Sequence, residues 1–245
     1  MEWFDCNAGF GIPSVPSGRF ASTPQELLDE LGFCGVKNAL VWHAATKDES
    51  AQTGNRLVAS ETRDHPGLHP IWAILPLATG EMGTLDEWFA AMKTNGVKAL
   101  CAYPEKHRYL LNGLTFGPLF EEMCTRNIPL LLDRDWGRIT SLLAEFPRLT
   151  VVALNHSSWG DDRNFRPLIE RYDRFYIDTS SYDLDGGVAD FAARYGPDRL
   201  LYGSAFPAMQ MGGSILTVAQ ADISDDAKAA IAAGNLRRLL SEVKL

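Results

Sequence analysis

The sequence has no long uninterrupted apolar run and no excess of basic charge. No apolar stretch reaches about 18 residues, the length that a membrane-spanning helix needs. Lys and Arg together number 23 against 31 Asp and Glu, which gives a formal net charge of −8. Because nucleic-acid backbones repel such a chain, we expect neither a nucleic-acid partner nor insertion into a membrane.

Two further signals are missing: paired cysteines and a secretory leader. The four cysteines, Cys6, Cys34, Cys101 and Cys124, are scattered, and no two of them form a CxxC pair. This spacing excludes a zinc knuckle and a disulfide-stapled scaffold. The amino terminus carries no basic segment ahead of an apolar stretch, so the sequence predicts no signal peptide and a cytoplasmic location.

What the sequence does contain is a regular alternation of strand-like and helix-like segments. Amphipathic segments, several of them preceded by Ser, Thr or Asp as N-capping residues, separate continuous apolar runs. Continuous runs are typical of parallel strands that are covered on both faces. Eight such runs occur, at residues 3–6, 39–42, 70–75, 97–102, 128–132, 149–154, 175–177 and 200–202. The alternation predicts an α/β fold, a single (β/α)₈ TIM barrel that forms one domain over residues 1–245.

An open, doubly wound sheet is the alternative fold. Such sheets usually carry a glycine-rich phosphate loop between the first strand and the first helix. Here Gly9 and Gly11 form a GxG, but Ile12 and Pro13 follow in place of a helix start. We therefore favour the barrel and predict no dinucleotide cofactor.

In a TIM barrel the functional side chains collect at the carboxyl ends of the strands. Five of the predicted strand ends carry an imidazole or a carboxylate. Such groups suit proton transfer when they converge in a barrel mouth, or metal binding where enough ligands meet. The polar residues at the predicted strand ends, or just beyond them, are Asp5, Asn7, His43, Tyr103, His107, Asp133, Arg134, His156, Asp178, Tyr202 and Ser204.

Three stretches of the sequence carry recognisable motifs. Residues 151–160 read VVALNHSSWG, residues 200–207 read LLYGSAFP, and residues 231–240 read IAAGNLRRLL. These stretches resemble the sixth strand (lvlaHlGg), the eighth strand (llyGSDyP) and the closing helix (ilggNArrLl) of the amidohydrolase-2 family. Members of this family are metal-dependent hydrolases with a (β/α)₈ barrel, and they include decarboxylases and lactone hydrolases. The resemblance covers nearly the whole chain.

The same resemblance implies that metal ligands of the family are missing. The first strand of the family carries DxHxH, whereas this chain has DCNAG, with Asn7 and Gly9 in place of the two histidines. The histidine of the fifth strand becomes Asp133, and the aspartate of the eighth strand becomes Ala205, so that only His156 is retained. Because Asn is a poor ligand for a transition metal and Gly and Ala are none, we expect no tightly bound metal and no cofactor.

From these observations the predicted catalytic residues are His156, Asp133 and Asp178. His156 and Asp133 end neighbouring strands and are expected to form a proton-handling pair, which Asp178 on the next strand would join. The predicted substrate is a small molecule of anionic character. Its predicted binding residues are Asn7, His43, Tyr103, His107, Arg134, Tyr202 and Ser204.

Three functions remain open at this point. The first is a hydrolase that acts on a small carboxylate or lactone without a metal. The second is a catalytically inactive barrel that binds a small ligand or partner. The third is a divergent metallohydrolase or decarboxylase whose ligands come from His43, Asp133, His156 and Asp178. The sequence identifies neither the substrate nor the oligomeric state, although the resemblance is compatible with a homodimer.

Overall fold

A parallel barrel forms the centre of the computed structural model, which describes residues 1–15, 18–157 and 160–245. Within these residues eight strands follow one another around the barrel in chain order, and each pairs in parallel with the next. The (β/α)₈ prediction is therefore confirmed. The strands are β1 Trp3–Phe10, β2 Val36–His43, β3 Leu68–Ala73, β4 Ala99–Ala102, β5 Leu130–Asp133, β6 Val151–Leu154, β7 Phe175–Asp178 and β8 Leu200–Leu201.

Backbone hydrogen bonds between β1 and the segment that begins with β8 close the barrel. The Cys6 amide donates to the Tyr202 carbonyl at 2.9 Å, and the Gly9 amide donates to the Phe206 carbonyl at 2.8 Å. Closure of this kind satisfies the first and last strands, which would otherwise present free edges.

The first strand is longer than the sequence pattern predicts. Its apolar run ends at Cys6, but the strand continues to Phe10 and its register with β2 shifts between Asp5 and Ala8. Asn7 therefore lies inside the strand instead of after it. A register shift interrupts the regular alternation of side chains, and the polar residues at this irregularity hid the continuation of the strand.

Helices separate the strands and cover the outside of the barrel. They are α1 Pro24–Phe33, α2 Ala45–Asp48, α3 Ala51–Glu61, α4 Leu85–Thr94, α5 Pro104–His107, α6 Gly113–Arg126, α7 Trp136–Glu145, α8 Asp162–Arg171, α9 Gly187–Tyr195, α10 Met211–Ala219, α11 Asp225–Ala229 and α12 Asn235–Ser241. Capping side chains fix several starts, as at α4, where Thr84 and Glu87 form a capping box. None of the helices in the described ranges has the length and apolar character required to cross a membrane.

Asn55 on α3 anchors the end of β3. Its side-chain Nδ2 donates to the Ala73 carbonyl at 2.9 Å, and its Oδ1 accepts from the Ala73 amide at 2.7 Å. The buried side chain of Asn55 thus satisfies both backbone groups of the residue with which the strand ends.

Replacing Asn55 with alanine would leave a buried N–H and a buried C=O without partners. We expect Asn55→Ala to lower the free energy of unfolding by about 2–4 kcal/mol, measured by urea denaturation. Asn38→Ala is the control, because it removes one partly buried contact of 3.3 Å to His69. Its expected cost is below about 1 kcal/mol. Equal losses in the two variants would contradict the anchoring role of Asn55.

Candidate active site

The carboxyl ends of the strands open on adjoining cavities that form the mouth of the barrel. The Asp133 cavity, about 290 Å³, is lined by Tyr103, Lys106, Asp133 and Arg134 among others. The Asn7 cavity, about 150 Å³, is lined by Asn7, Trp42, Lys47, Asn155 and Ala205 among others. A connecting cavity of about 310 Å³ shares Lys106 with the first and Trp42 and Lys47 with the second.

Asn155, the residue after β6, joins side chains from three other strands. Its Nδ2 donates to Asp133 Oδ1 at 2.6 Å, and its Oδ1 accepts from Asn7 Nδ2 at 3.0 Å. Its backbone amide donates to Asp178 Oδ1 at 3.1 Å. Asn155 adopts a left-handed backbone with φ of 55°, a conformation that asparagine tolerates better than most residues. The amide side chain of Asn155 is thereby aimed into the mouth.

Asp133 presents its carboxylate to the mouth of the barrel. The three preceding residues of β5 are buried, whereas Asp133 itself is exposed and lines the Asp133 cavity. Tyr103 and Arg134 line the same cavity, so the structure brings together three of the residues that the sequence analysis selected. A carboxylate held by one amide and open to a cavity has the geometry of a proton acceptor for a bound molecule.

Lys47 on α2 also reaches the mouth, although the sequence analysis did not select it. Its Nζ lies 3.8 Å from the centroid of the Trp42 ring and 5.0 Å from the centroid of the Tyr103 ring. Burial lowers the pKa of Lys47, and the nearby carboxylate of Asp133 acts in the opposite direction. The available signal was its position four residues after the end of β2, which is similar to that of His107 after β4.

Trp42 fills the space beside Gly9. A Cβ atom on Gly9 would lie 2.6 Å from Cη2 of the Trp42 ring, well inside van der Waals contact. The Trp42 Nε1 donates to Asn7 Oδ1 at 3.4 Å, which ties the indole to β1. With Trp42 in this position, residue 9 cannot carry a larger side chain into the mouth.

Two carboxylates are buried beneath the mouth. Asp5 Oδ1 accepts from the backbone amides of Asn7 and Ser204, both at 2.9 Å, and burial raises the pKa of Asp5 to about 6. Burial likewise raises the pKa of Asp178, while His156 and the hydroxyl of Ser180 act in the opposite direction. Since both carboxylates are fully buried, their role is to hold the surrounding backbone.

His156 does not form the predicted pair with Asp133. Its Nε2 donates to the backbone carbonyl of Asp178 at 2.7 Å, and its ring packs against Phe165 and Tyr182 at centroid distances of 5.2 Å. Across the described part of the chain, no hydrogen bond or ion pair joins His156 to Asp133. The physical reason is the left-handed backbone at Asn155, directly after β6, which turns the Asn155 amide inward and leaves the His156 ring against Phe165 of α8.

Two other predicted histidines hold α2 in place. His43 Nδ1 accepts from the Ala45 amide at 3.1 Å, at the start of α2, and burial lowers the pKa of His43. His107 Nε2 donates to the carbonyl of Thr46 at 2.8 Å, in the first turn of α2. The structure therefore places both histidines around the helix that carries Lys47, and neither lines the three cavities of the mouth.

Tyr202 and Ser204 are buried beside β8. The Tyr202 ring packs edge-on against Trp3, with the centroids 4.8 Å apart. Ser204 Oγ accepts from the Phe206 amide at 3.0 Å and so stabilises the turn that follows β8. Both side chains are fully buried, and neither lines a mouth cavity.

The structure thus defines a TIM-barrel protein whose mouth combines a carboxylate, two amides and a lysine. The sequence profile of the amidohydrolase family, Amidohydro_2, matches residues 19–241. The chain belongs to this amidohydrolase-2 family, as its strand-end motifs predicted. A search of curated proteins found no significant match.

Solved structures of related barrels superpose on nearly the whole chain. A 2,6-dihydroxybenzoate decarboxylase from Rhizobium is 16% identical, with a TM-score of 0.75 and 98% of each chain covered. A probable 2-pyrone-4,6-dicarboxylic acid hydrolase from Acinetobacter baumannii, with citric acid bound, is 13% identical, with a TM-score of 0.73, 98% of this chain and 100% of the other. A dihydroxybenzoic acid decarboxylase from Polaromonas sp. JS666, with bound manganese and 2-nitroresorcinol, is 12% identical, with a TM-score of 0.74, 98% of this chain and 97% of the other. At these identities the likeness concerns the fold.

The donor set in the mouth of this chain does not fit the metal that the family name implies. The resemblance implies family ligand positions at Asn7, Gly9 and Ala205, which offer an amide or no donor atom, and the Trp42 ring fills the space beside Gly9. In residues 1–15, 18–157 and 160–245, no group of three or more His, Cys, Asp or Glu side chains is arranged to hold a metal ion. Three such protein ligands are the usual minimum for a catalytic zinc site.

The raised pKa of Asp5 predicts a pH-dependent cost of keeping this carboxylate buried. Its pKa rises from 3.8 to about 6, so the cost is absent below about pH 4, grows between pH 4 and 6, and is complete above pH 6. At about 1.4 kcal/mol for each pKa unit, the cost is on the order of 3 kcal/mol. We expect Asp5→Asn to gain stability relative to the wild type as pH rises from 4 to 7.

Urea denaturation at several pH values measures this gain. Asp64→Asn is the control, because Asp64 is exposed in the turn between α3 and β3, at the opposite end of the barrel. Because Asp64 is exposed, its substitution is expected to change the free energy of unfolding by less than about 0.5 kcal/mol. A stability difference between Asp5→Asn and wild type that stays constant from pH 4 to 7 would refute the assignment.

Proposed function

We propose that this chain is a metal-independent hydrolase of a small anionic carbonyl compound, such as a lactone that carries a carboxylate group. The observation that carries the proposal is the Asp133 carboxylate, held by Asn155 and open to a cavity that basic side chains also line. A cavity of about 290 Å³ suits a small molecule.

Asp133 is the proton-handling group in this proposal. Its carboxylate accepts a proton from a water molecule as the water oxygen bonds to the carbonyl carbon of the lactone. The ring C–O bond then breaks, and the departing oxygen takes up the proton that Asp133 accepted, so that the lactone and one water yield one hydroxy acid and Asp133 is again a carboxylate. The 2.6 Å hydrogen bond from Asn155 Nδ2 fixes the orientation of the carboxylate for this step.

The basic residues of the mouth support an anionic substrate. Lys106 and Arg134 line the Asp133 cavity; among the described residues Lys106 forms no ion pair, and the ion pair of Arg134 with Asp161 is 3.7 Å long. Cations in a concave site favour carboxylate ligands. The names of the structural neighbours refer to small carboxylates too, which is the substrate class that we propose here.

Two observations support the absence of a metal from the reaction. Of the residues that the resemblance implies at family ligand positions, Asn7 offers an amide and Gly9 and Ala205 offer no donor atom, so these three are weak ligands or none. The Trp42 ring occupies the space that a ligand at residue 9 would need. In this proposal His156 and Asp178 are positioning residues: they hold the backbone around Asn155, which in turn orients Asp133.

We expect the purified protein to hold well below one zinc, manganese or iron ion per chain. The measurement is elemental mass spectrometry on protein prepared without chelators and without a metal-affinity step. Treatment with a chelator should leave any hydrolytic activity unchanged. A stoichiometric metal, or activity that disappears on chelation and returns with the metal, would overturn the metal-independent mechanism.

We expect Asp133→Asn to lower kcat/KM for the best lactone or ester substrate by about 100-fold or more, because the amide cannot accept the proton. The substrate comes from a screen of carboxylated lactones and esters with the wild type. Asp64→Asn, at the opposite end of the barrel, is the matched control and should retain full activity. Thermal unfolding confirms that both variants fold. Unchanged kcat/KM in Asp133→Asn would remove Asp133 from the mechanism.

A further inference from the structure

We infer that the ammonium group of Lys47 is the built-in cation of this site and binds an anionic oxygen of the substrate. The inference deepens the proposed function, and its ligand class rests on that proposal. It assigns to Lys47 the positive charge that a metal ion supplies in a metal-dependent relative. The sequence analysis did not select Lys47. The inference rests on where its side chain lies, on the residues that hold it there, and on the absence of a direct partner for its ammonium group among the described residues.

The side chain of Lys47 lies at the centre of the candidate site. Lys47 lines the Asn7 cavity together with Asn7, Asn155 and Ala205. Asn7 and Ala205 are the residues that stand at family metal-ligand positions, and Asn155 is the inward residue at the end of β6. The side chain of Lys47 therefore reaches the part of the mouth where the resemblance implies the metal site of the family.

Two aromatic rings hold the ammonium group of Lys47 in place. Lys47 Nζ lies 3.8 Å from the Trp42 centroid and 5.0 Å from the Tyr103 centroid, both within the range of cation–π attraction. Trp42 is itself held, by its hydrogen bond to Asn7 and by its packing against Gly9. The charged end of a flexible side chain is thus kept at one place in the mouth.

The short helix α2, which carries Lys47, is itself anchored by neighbouring residues. His43 accepts a hydrogen bond from the backbone at its start, and His107 donates one to the carbonyl of Thr46. Gly54 on α3 approaches α2 so closely that a Cβ atom there would collide with Thr46. His43 and His107, which were predicted to bind the substrate, act instead as positioning residues, because they hold the helix that carries Lys47.

The ammonium group of Lys47 has no direct partner among the described residues. In the described ranges the Lys47 ammonium takes part in no hydrogen bond and no ion pair, although an ammonium has three donors to offer. Burial lowers the pKa of Lys47, and Asp133, Cys101 and Asp48 oppose that effect, whereas Lys106 adds to it. A partly buried, unpaired cation that lines a cavity is suited to bind an oxygen anion.

Lys47 and Asp133 then have different roles in the reaction. The two groups attract each other across the mouth without forming an ion pair. An anionic oxygen of the substrate accepts hydrogen bonds from Lys47, while the carboxylate of Asp133 faces the Asp133 cavity and handles the proton. A positive charge that is fixed before the substrate arrives stabilises negative charge on the reacting oxygen more than solvent would.

The test is calorimetric binding of isophthalate, a planar dicarboxylate that cannot be hydrolysed. Wild-type protein should bind it, and Lys47→Met, which keeps the length of the aliphatic stem, should bind at least about tenfold more weakly. Lys47→Gln, a second neutral variant, should show the same loss. Lys47→Arg keeps the charge and should retain most of the affinity. Lys93→Met on the outer helix α4 is the matched control and should bind like the wild type.

The pH dependence separates a binding role from a packing role. Wild-type affinity should fall as pH rises through the lowered pKa of Lys47, whereas Lys47→Arg should keep a flat profile from pH 7 to 10, because arginine stays charged. Wild-type protein that does not bind isophthalate, unchanged affinity in both neutral variants, or matching pH profiles in wild type and Lys47→Arg would overturn the inference.

Binding without turnover also separates the inference from the proposed function. If isophthalate binding depends on Lys47 but no lactone or ester is hydrolysed, the hydrolase proposal fails and the cation site stands. If a lactone is hydrolysed and Asp133→Asn abolishes turnover, while Lys47→Met binds isophthalate and turns over normally, the hydrolase stands and the cation site fails.

Discussion

The hydrogen bonds of Asn155 constrain the whole mouth of the barrel. One residue at the end of β6 bonds to Asp133 on β5, to Asn7 on β1 and to Asp178 on β7. Because each partner belongs to a different strand, the bonds fix the mutual positions of strands that lie on opposite sides of the barrel axis. The orientation of the Asp133 carboxylate, the position of the Trp42 indole through Asn7, and therefore the seat of Lys47 all depend on this amide.

Four charged side chains in and beneath the mouth of the barrel fall into two pairs with different roles. Asp5 and Asp178 are fully buried, and each accepts hydrogen bonds from backbone amides, so their carboxylates hold the strand ends in position. Asp133 and Lys47 lie at the cavities, where a bound molecule can reach them. Burial of the first pair costs stability at neutral pH, and the order it imposes on the backbone keeps the second pair in a fixed arrangement.

Much of the fold could be read from the chain because the signals are local. Strands covered on both faces need apolar residues at every position, so β4 and β6 appear as unbroken apolar runs. Helix starts could be recognised because capping by residues such as Thr84 acts within one turn. The full length of β1 could not be recognised, since its register shift after Asp5 breaks the pattern from which a strand is inferred.

The sequence by itself determined the barrel, the family, and the strands that carry Asn7, Asp133 and Asp178. Only the tertiary structure decided which side chains enter the mouth. A left-handed backbone at Asn155 turns this amide inward and directs the neighbouring His156 towards α8. Lys47 reaches the mouth only because α2 packs beside β2 and its side chain lies on the Trp42 ring. Such placements depend on contacts between distant segments, which the composition and spacing of a single chain do not encode in any local pattern.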